Sequence, residues 1–370
     1  MTPCVMSGGT QQPAAQQTPK PSGSQPSLTV DRDPVASPDP DPPAQPATGP
    51  AQGIGLGPIS KGAGGKYTLR TDAYEVRLNA SVFDGSGKSI QTLGKDAFHV
   101  YEDGVPQTIA SFRHEDLPVS LGILIDSSGS MYDKRAAVEK AALDFVKLSN
   151  HEDEAFVVDF SWEAFIDQDF TSDIRKLQDG LGYIKSSGGT AIYDALVASA
   201  DYLTKNAKHP KQVLLVITDG EDNASSASLE QAIRRIQDLD GPVIYSVGLL
   251  FGEDTDKRES RHAKRVLETL SEQTGGAAYF PRSLKDVDAI AAAVAQDIRT
   301  QYTIAYHSTK SPTLGGYRQV HVDAKSKDFG RLSVRTRSGY YPKVHEEAGD
   351  AKGGAAALSG QGLSNSGTRP

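Results

Sequence analysis

A short loop that follows an apolar run carries a carboxylate and two hydroxyls at alternate positions. Asp126, Ser128 and Ser130 come directly after residues 119–125, which predict a buried strand. Because the loop is tight, its three side-chain oxygens can converge on one point. Hard divalent cations such as Mg²⁺ prefer oxygen ligands in octahedral geometry. The spacing therefore predicts one part of a cation site.

Two later segments carry oxygen-bearing side chains that can complete such a site. Thr190 follows a pair of glycines, and Asp219 ends another apolar run. Together with the first loop they offer two negative charges and three neutral oxygens. We expect Mg²⁺ here, with Mn²⁺ or Ca²⁺ as alternatives, and an open sixth position for a carboxylate from another protein. That attraction is strong only where water is partly excluded.

Each of these residues also has an ordinary structural interpretation. Ser130 with Asp133 fits a capping box at a helix start, and Thr190 is suited to cap a helix over residues 192–203. Asp219 and the following glycine fit a simple turn. The joint occurrence of all these residues at junctions between strands and helices favours the metal site. The two roles are compatible, since backbone and side chain act separately.

Residues near the predicted cation are candidates for contact with a partner protein. Aromatic residues are enriched at binding hot spots, and an acidic residue on the loop that follows Asp219 can tune selectivity. The alternative is that the apolar members close the edge of the core and the acidic one lies on a solvated loop. The candidates are Met131, Tyr132, Trp162, Tyr193 and Glu221.

The order of the elements predicts how these loops are brought together. Buried strands are predicted over residues 119–125, 156–160, 213–218 and 243–249. Helical spacing occurs between and after them, over residues 136–148, 192–203, 229–239 and 266–270. Strands that are apolar on both faces and alternate with helices indicate an α/β fold with a doubly wound, mostly parallel sheet. Such sheets bind ligands at the carboxyl ends of their strands.

The segments before and after the predicted α/β region have a different pattern of apolar and polar residues. Residues 66–117 and 301–343 alternate apolar and polar residues between turn signals, which predicts short antiparallel strands. We expect these halves to pair into one β-sandwich-like domain, with residues 118–300 inserted between them. Residues 1–65 are rich in Pro, Gln, Ser and Gly, and residues 344–370 in Gly, Ala and Ser. Both predict disorder, because little apolar surface is available for burial.

Residues 118–300 resemble a von Willebrand factor type A domain. The metal-ion-dependent adhesion site of that family has the pattern Asp-x-Ser-x-Ser, then Thr, then Asp, which maps here onto Asp126, Ser128, Ser130, Thr190 and Asp219. The resemblance implies a doubly wound fold, Mg²⁺ as the usual ion and protein binding as the usual role. The flanks, including residues 100–104, 302–306 and 338–341, are similar to a bacterial von Willebrand A-related family with many exported members. We therefore expect an extracytoplasmic location.

Net charge, apolar run length and cysteine count limit the functions that the chain can have. The formal net charge of −8 argues against general nucleic-acid binding, which needs a basic surface. No apolar run is long enough to cross a bilayer. The N-terminus lacks the features of a signal peptide. Cys4 is the sole cysteine, which excludes an intrachain disulfide. It is a candidate lipid-anchor site only if a leader precedes the given start, and is otherwise an incidental thiol.

The leading hypothesis is a non-enzymatic, cation-dependent protein-binding or adhesion module. An alternative is a metal-dependent hydrolase or phosphoryl-transfer enzyme with Asp126 as nucleophile. That alternative has little support, because Ser128 stands where such enzymes have a second aspartate and no phosphate-binding loop with a lysine is found. A third hypothesis is a surface protein whose ion only stabilises the loops.

Overall fold

The computed structural model describes residues 59–61, 67–69, 75–114, 116–148, 150–184, 186–239, 241–251 and 257–343. Most of the predicted N-terminal tether and the whole predicted C-terminal tail lie outside these residues, as does Cys4. Within the tether segment, residues 59–61 form a strand. In the described part of the chain, no helix combines the length and apolarity that a membrane crossing requires.

Strands and helices alternate through the middle of the chain and strands dominate both sides. The strands are β1 (Ile59–Lys61), β2 (Tyr67–Leu69), β3 (Glu75–Phe83), β4 (Phe98–Glu102), β5 (Val105–Gln107), β6 (Ile109–Arg113), β7 (Val119–Asp126), β8 (Glu154–Phe160), β9 (Ala164–Thr171), β10 (Lys211–Thr218), β11 (Val243–Gly248), β12 (Ala278–Tyr279), β13 (Tyr302–His307), β14 (Arg318–Ala324), β15 (Ser333–Arg335) and β16 (Gly339–Tyr340). The α-helices are α1 (Arg135–Leu148), α2 (Ile174–Tyr183), α3 (Ile192–Asn206), α4 (Leu229–Asp238), α5 (Lys257–Thr274) and α6 (Val287–Arg299).

The central sheet has the order β12-β11-β10-β7-β8-β9, and all its pairs are parallel except β8 with β9. Side chains of α1, α2 and α6 pack in one core cluster with one face of the sheet. Those of α3, α4 and α5 pack in a second cluster with the other face. All eight residues of β7 are buried, as expected for a strand covered on both sides. The predicted doubly wound α/β fold is confirmed.

Two four-stranded antiparallel sheets accompany the central sheet, with the orders β15-β3-β13-β6 and β16-β14-β4-β5. Each contains strands from before and after the α/β segment. Strand β3, for example, pairs with β13, and β4 pairs with β14. Apolar side chains from both sheets share a third core cluster that includes Val76, Val100, Tyr302 and Val320. Chain segments far apart in sequence therefore contribute to one core.

A buried polar junction joins the antiparallel strands to the α/β region. Asp297 on α6 accepts a hydrogen bond from Ser81 Oγ of β3 at 2.9 Å and one from Tyr245 Oη of β11 at 2.7 Å. Arg335 of β15 forms an ion pair with the same carboxylate. Burial and the neighbouring Asp297 carboxylate raise the pKa of Tyr245 well above its ordinary value, so Tyr245 stays a neutral donor. One carboxylate thus holds groups from three other elements.

Candidate functional site

Asp126 is the last residue of β7, and the loop that follows folds back over its carboxylate. The backbone N–H of Ser128 donates a hydrogen bond to Asp126 Oδ1 at 2.8 Å. Residues Gly129–Met131 then form a short 3₁₀ turn before α1 begins at Arg135. Both Asp126 and Ser128 are buried. The loop therefore holds a carboxylate and two hydroxyls at the carboxyl edge of the sheet.

Asp219 reaches the same place from the neighbouring strand. Strands β7 and β10 are adjacent and parallel, with Ile125 opposite Ile217, so the residues that follow both strands meet at one edge. The hydroxyl of Ser130 donates to Asp219 Oδ1 at 2.8 Å. The Asp126 loop and the Asp219 loop are thus in direct side-chain contact.

Further hydrogen bonds extend the contact between Ser130 and Asp219 into a network. The hydroxyls of Ser128 and Ser130 lie 3.1 Å apart, and Thr218 Oγ1 donates to Asp126 Oδ2 at 2.6 Å. Four of the five predicted ligands, with Thr218 added, form one connected network. Thr218 was not predicted as a site residue, although it stands next to Asp219 at the end of an apolar run.

Thr190 belongs to a loop that is fastened to both of the others. Its backbone N–H donates to Asn223 Oδ1 at 2.9 Å, and its carbonyl accepts from the Asn223 N–H at 3.0 Å. The N–H of Ser187, on the same loop, donates to the carbonyl of Ser127 at 2.7 Å. The side chain of Thr190 is buried. Thr190 is therefore held beside the network through its backbone.

The capping interpretations of Ser130 and Thr190 are wrong. Ser130 lies inside the 3₁₀ turn, which begins after Ser128, and its hydroxyl bonds to Asp219. Helix α3 begins after Ala191, and the first N–H groups of the helix donate to the side chains of Asp222 and Ser225 rather than to Thr190. Both hydroxyls are therefore free of the helix-capping role that the sequence also allowed.

Burial raises the pKa of Asp126 to about 6, and the nearby Asp219 carboxylate adds to the rise. Hydrogen bonds from Thr218 and Ser128 lower the pKa and so limit the shift. Two carboxylates in a dry site destabilise one another unless a positive charge lies between or beside them. The electrostatics of the site therefore favour a cation.

Lys134 supplies one positive charge, which the sequence did not reveal. Its ammonium lies 2.6 Å from Asp219 Oδ2. The lysine sits in the turn that leads into α1, and no spacing rule links it to an aspartate on another strand. The contact arises only when β7 and β10 become neighbours.

The donor set fits a hard cation that takes oxygen ligands. Within the described ranges, no group of three or more His, Cys, Asp or Glu side chains is placed to hold a metal. A cation at this edge therefore depends on two carboxylates and on hydroxyls. That set suits Mg²⁺ better than a metal that prefers nitrogen or sulfur.

The predicted partner-contact residues fall into three groups by exposure. Tyr132 and Trp162 are 74% and 65% exposed. Met131 is only 1% exposed and packs in the core between α1 and the sheet, so it is not on the surface and its predicted place on the rim is wrong. Tyr193 and Glu221 are half-buried, and Tyr193 packs against the core cluster of α3.

Trp162 lies against the two glycines that precede Thr190. A Cβ atom on Gly188 would be 2.5 Å from Trp162 Cδ1, and one on Gly189 would be 2.9 Å from Trp162 Cζ3. Gly188 also has a φ of +90°, which favours glycine. The glycine pair therefore allows the indole ring to cover the Thr190 loop.

The part of the chain that forms this site matches a known family. Residues 121–221 match the family model of the von Willebrand factor type A domain. The matched region runs from β7 to the loop after β10, so it includes all five candidate ligands. No curated protein sequence matches the chain significantly.

Several solved structures resemble the chain in part. A von Willebrand factor type A protein from Catenulispora acidiphila is 14% identical, with 74% of this chain and 75% of that chain covered and a TM-score of 0.41. Proximal thread matrix protein 1 from the mussel byssus is 16% identical, with 50% and 49% covered and a TM-score of 0.40, so this chain spans about half its length. The vWF domain of the type V pili tip protein Mfa5 from Porphyromonas gingivalis is 13% identical, with 50% and 95% covered and a TM-score of 0.39.

Proposed function

We propose that the protein is a divalent-cation-dependent protein-binding module of the adhesion type. In this proposal, Mg²⁺ is held by Asp126, Ser128, Ser130, Thr190 and Asp219. The hydrogen bond between Ser130 and Asp219 carries the proposal, because it joins two loops that each bring a carboxylate. The von Willebrand A match over residues 121–221 supports an interaction role rather than catalysis.

A dication held here would supply positive charge at a site where four of the five proposed ligands are buried and Ser130 is exposed. Asp126 and Asp219 would neutralise it, and the three hydroxyls would add ligands without adding charge. A carboxylate from a partner would then bind at a position that these residues leave open. Because both carboxylates are buried, this attraction would be stronger than it is on an open surface.

Exposed aromatic side chains extend the surface on two sides of the site. Tyr132 follows the Asp126 loop, and Trp162 covers the Thr190 loop. Aromatic anchors beside a charged centre are typical of interfaces in which a few residues provide most of the binding energy. We propose that both residues contact the partner, which is a protein or peptide with an exposed Asp or Glu.

We place this interaction outside the cytoplasm, as the flanking strands resemble those of exported bacterial proteins. We propose no enzymatic role. The hydroxyl of Ser130 donates to Asp219, but the same carboxylate is paired with the Lys134 ammonium, which makes it a weak base.

The proposal is tested with a labelled hexaglutamate peptide as probe and hexaglutamine as its neutral match. Anisotropy is measured on the full chain in Mg²⁺ and in EDTA. We expect the acidic peptide to bind only in Mg²⁺ and the binding to be lost in Asp126→Ala. Asp84→Ala, which removes an equal charge from an exposed turn, should bind as the natural chain does. Equal binding in Mg²⁺ and EDTA would contradict the proposal.

A further inference from the structure

Lys134 is placed where its charge acts on the candidate site. Its ammonium is 2.6 Å from Asp219 Oδ2, and its side chain is 19% exposed while that of Asp219 is 1% exposed. The backbone N–H of Lys134 donates to the carbonyl of Met131 at 3.0 Å, which fixes the turn. The ammonium also lies 5.8 Å from the centre of the Phe251 ring. The lysine is thus held by its backbone, a carboxylate and an aromatic face.

This contact occupies the second oxygen of Asp219. Ser130 donates to Oδ1 and Lys134 to Oδ2, so both oxygens already have a donor. An ammonium paired with a buried carboxylate supplies the charge that the site otherwise lacks. The loops therefore have a neutralising cation that belongs to the chain itself.

We propose that Lys134 is a built-in counter-ion that competes with the divalent cation for Asp219. This inference rests on the proposed function. A dication at Asp219 would have to displace the ammonium from Oδ2, and the loss of that ion pair would lower the affinity for Mg²⁺. Without the dication, Lys134 keeps Asp219 neutralised and the two loops together.

The competition has a consequence for partner binding. Lys134 is partly exposed, so release from Asp219 lets its ammonium turn towards solvent at the edge of the site. When Mg²⁺ binds, the released Lys134 ammonium would lie beside it as a second positive charge. An acidic partner is attracted by both charges, which links cation loading to recognition.

The first test compares Mg²⁺ affinity by isothermal titration calorimetry on full-length variants. Lys134→Met keeps the length and apolar stem of the side chain and removes its charge, and we expect it to bind Mg²⁺ at least tenfold more tightly. Lys140→Met is the matched control, because Lys140 pairs with Asp144 and Asp288 on the exposed face of α1. It should leave the affinity unchanged. Lys134→Arg keeps the charge and should bind weakly, like the natural chain.

A second measurement uses the unmodified sequence and so does not depend on the folding of a variant. The rate of acylation of Lys134 by a small amine-reactive reagent is followed by mass spectrometry with and without Mg²⁺. We expect Mg²⁺ to increase labelling of Lys134 severalfold and to leave that of Lys140 unchanged. Unchanged or decreased labelling of Lys134 would overturn the inference.

The outcomes separate this inference from the proposed function. If Asp126→Ala abolishes Mg²⁺ binding while Lys134→Met binds no more tightly than the natural chain, the cation site stands and the competition does not. If neither the natural chain nor Lys134→Met binds Mg²⁺, the proposed function fails and the inference fails with it.

Discussion

The hydroxyl of Ser130 donates a 2.8 Å hydrogen bond to Asp219 Oδ1, although 89 positions separate the two residues in sequence. The bond forms because β7 and β10 are adjacent and parallel, so their carboxyl ends coincide. It connects two loops that lead to opposite faces of the sheet, one into α1 and the other towards α4. The site therefore depends on the pairing of β7 with β10.

Removing this hydroxyl should weaken both the loop contact and the response to Mg²⁺. Ser130→Ala loses one hydrogen bond and one candidate ligand, with an expected stability loss of about 1 kcal/mol. Ser228→Ala is a matched control, since its hydroxyl caps α4 and its loss costs a similar amount, about 1 kcal/mol. Thermal unfolding with and without Mg²⁺ should show a reduced Mg²⁺ effect only in Ser130→Ala. An equal Mg²⁺ effect in both variants would argue against Ser130 as a ligand.

The contact of Trp162 with the glycine pair provides a spectroscopic test. Gly188→Ala forces a side chain into positive φ and against the indole, and we expect it to destabilise the fold by more than about 1 kcal/mol. Because Trp162 is the sole tryptophan, its emission spectrum should shift as well. Gly87→Ala has a similar φ of +85° with no atom within 4 Å of the added Cβ. It should be strained without any change in emission; the same emission shift in both would show that Trp162 does not contact Gly188.

A carboxyl pair behind the site should make stability depend on pH. Burial, followed by the neighbouring Asp159, raises the pKa of Asp167 to about 7. The unfolded value is about 3.9, so the folded state binds this proton more tightly. The stabilisation from this group is complete below about pH 4 and is lost as the pH rises through about 7.

Asp167→Asn mimics the protonated acid and should remove that loss. We expect the variant to exceed the natural chain in unfolding free energy by about 1 kcal/mol at pH 8, a value reduced for partial exposure, and to match it at pH 4. Asp328→Asn on an exposed loop should show no such difference. Urea unfolding at the two pH values decides the matter. A variant that is less stable than the natural chain at pH 8 would contradict this assignment.

The junction around Asp297 should be important for stability but not for cation binding. Asp297→Ala leaves Arg335, Tyr245 and Ser81 without their shared acceptor, and we expect a loss of about 3 kcal/mol. Asp288→Ala on the same helix removes only an exposed ion pair and should cost less than about 1 kcal/mol. Urea unfolding measures both, and calorimetry should find the same Mg²⁺ affinity in both. Similar stability losses in the two variants would show that the buried contacts of Asp297 contribute no more to stability than an exposed ion pair.

Much of this arrangement could be predicted because burial leaves a clear pattern in the sequence. Strands β7, β10 and β11 are covered on both faces and appear as continuous apolar runs, which placed Asp126 and Asp219 at strand ends. Strand β9 was missed because it is a terminal strand with exposed side chains and two aspartates, so no apolar run marks it. The predicted strand 156–160 begins at Glu154, whose carboxylate accepts from Ser120 within the sheet.

Details of the site that depend on loop geometry could not be predicted. Met131 is apolar and next to the ligands, which suggested an exposed rim, but the 3₁₀ turn directs it into the core. Lys134 pairs with an aspartate from another strand, a contact that neither helical nor strand periodicity encodes. Both cases arise where backbone direction changes within a few residues, and sequence periodicity is uninformative there.

The most direct test of the central claim is calorimetric titration of Mg²⁺ into the full chain, beside Asp126→Ala and the charge-matched Asp84→Ala. We predict one binding event in the natural chain and in Asp84→Ala, with none in Asp126→Ala although its circular dichroism spectrum still shows the α/β fold. Mg²⁺ binding of equal affinity in Asp126→Ala, or its absence from the natural chain, would contradict a cation site at the ends of β7 and β10.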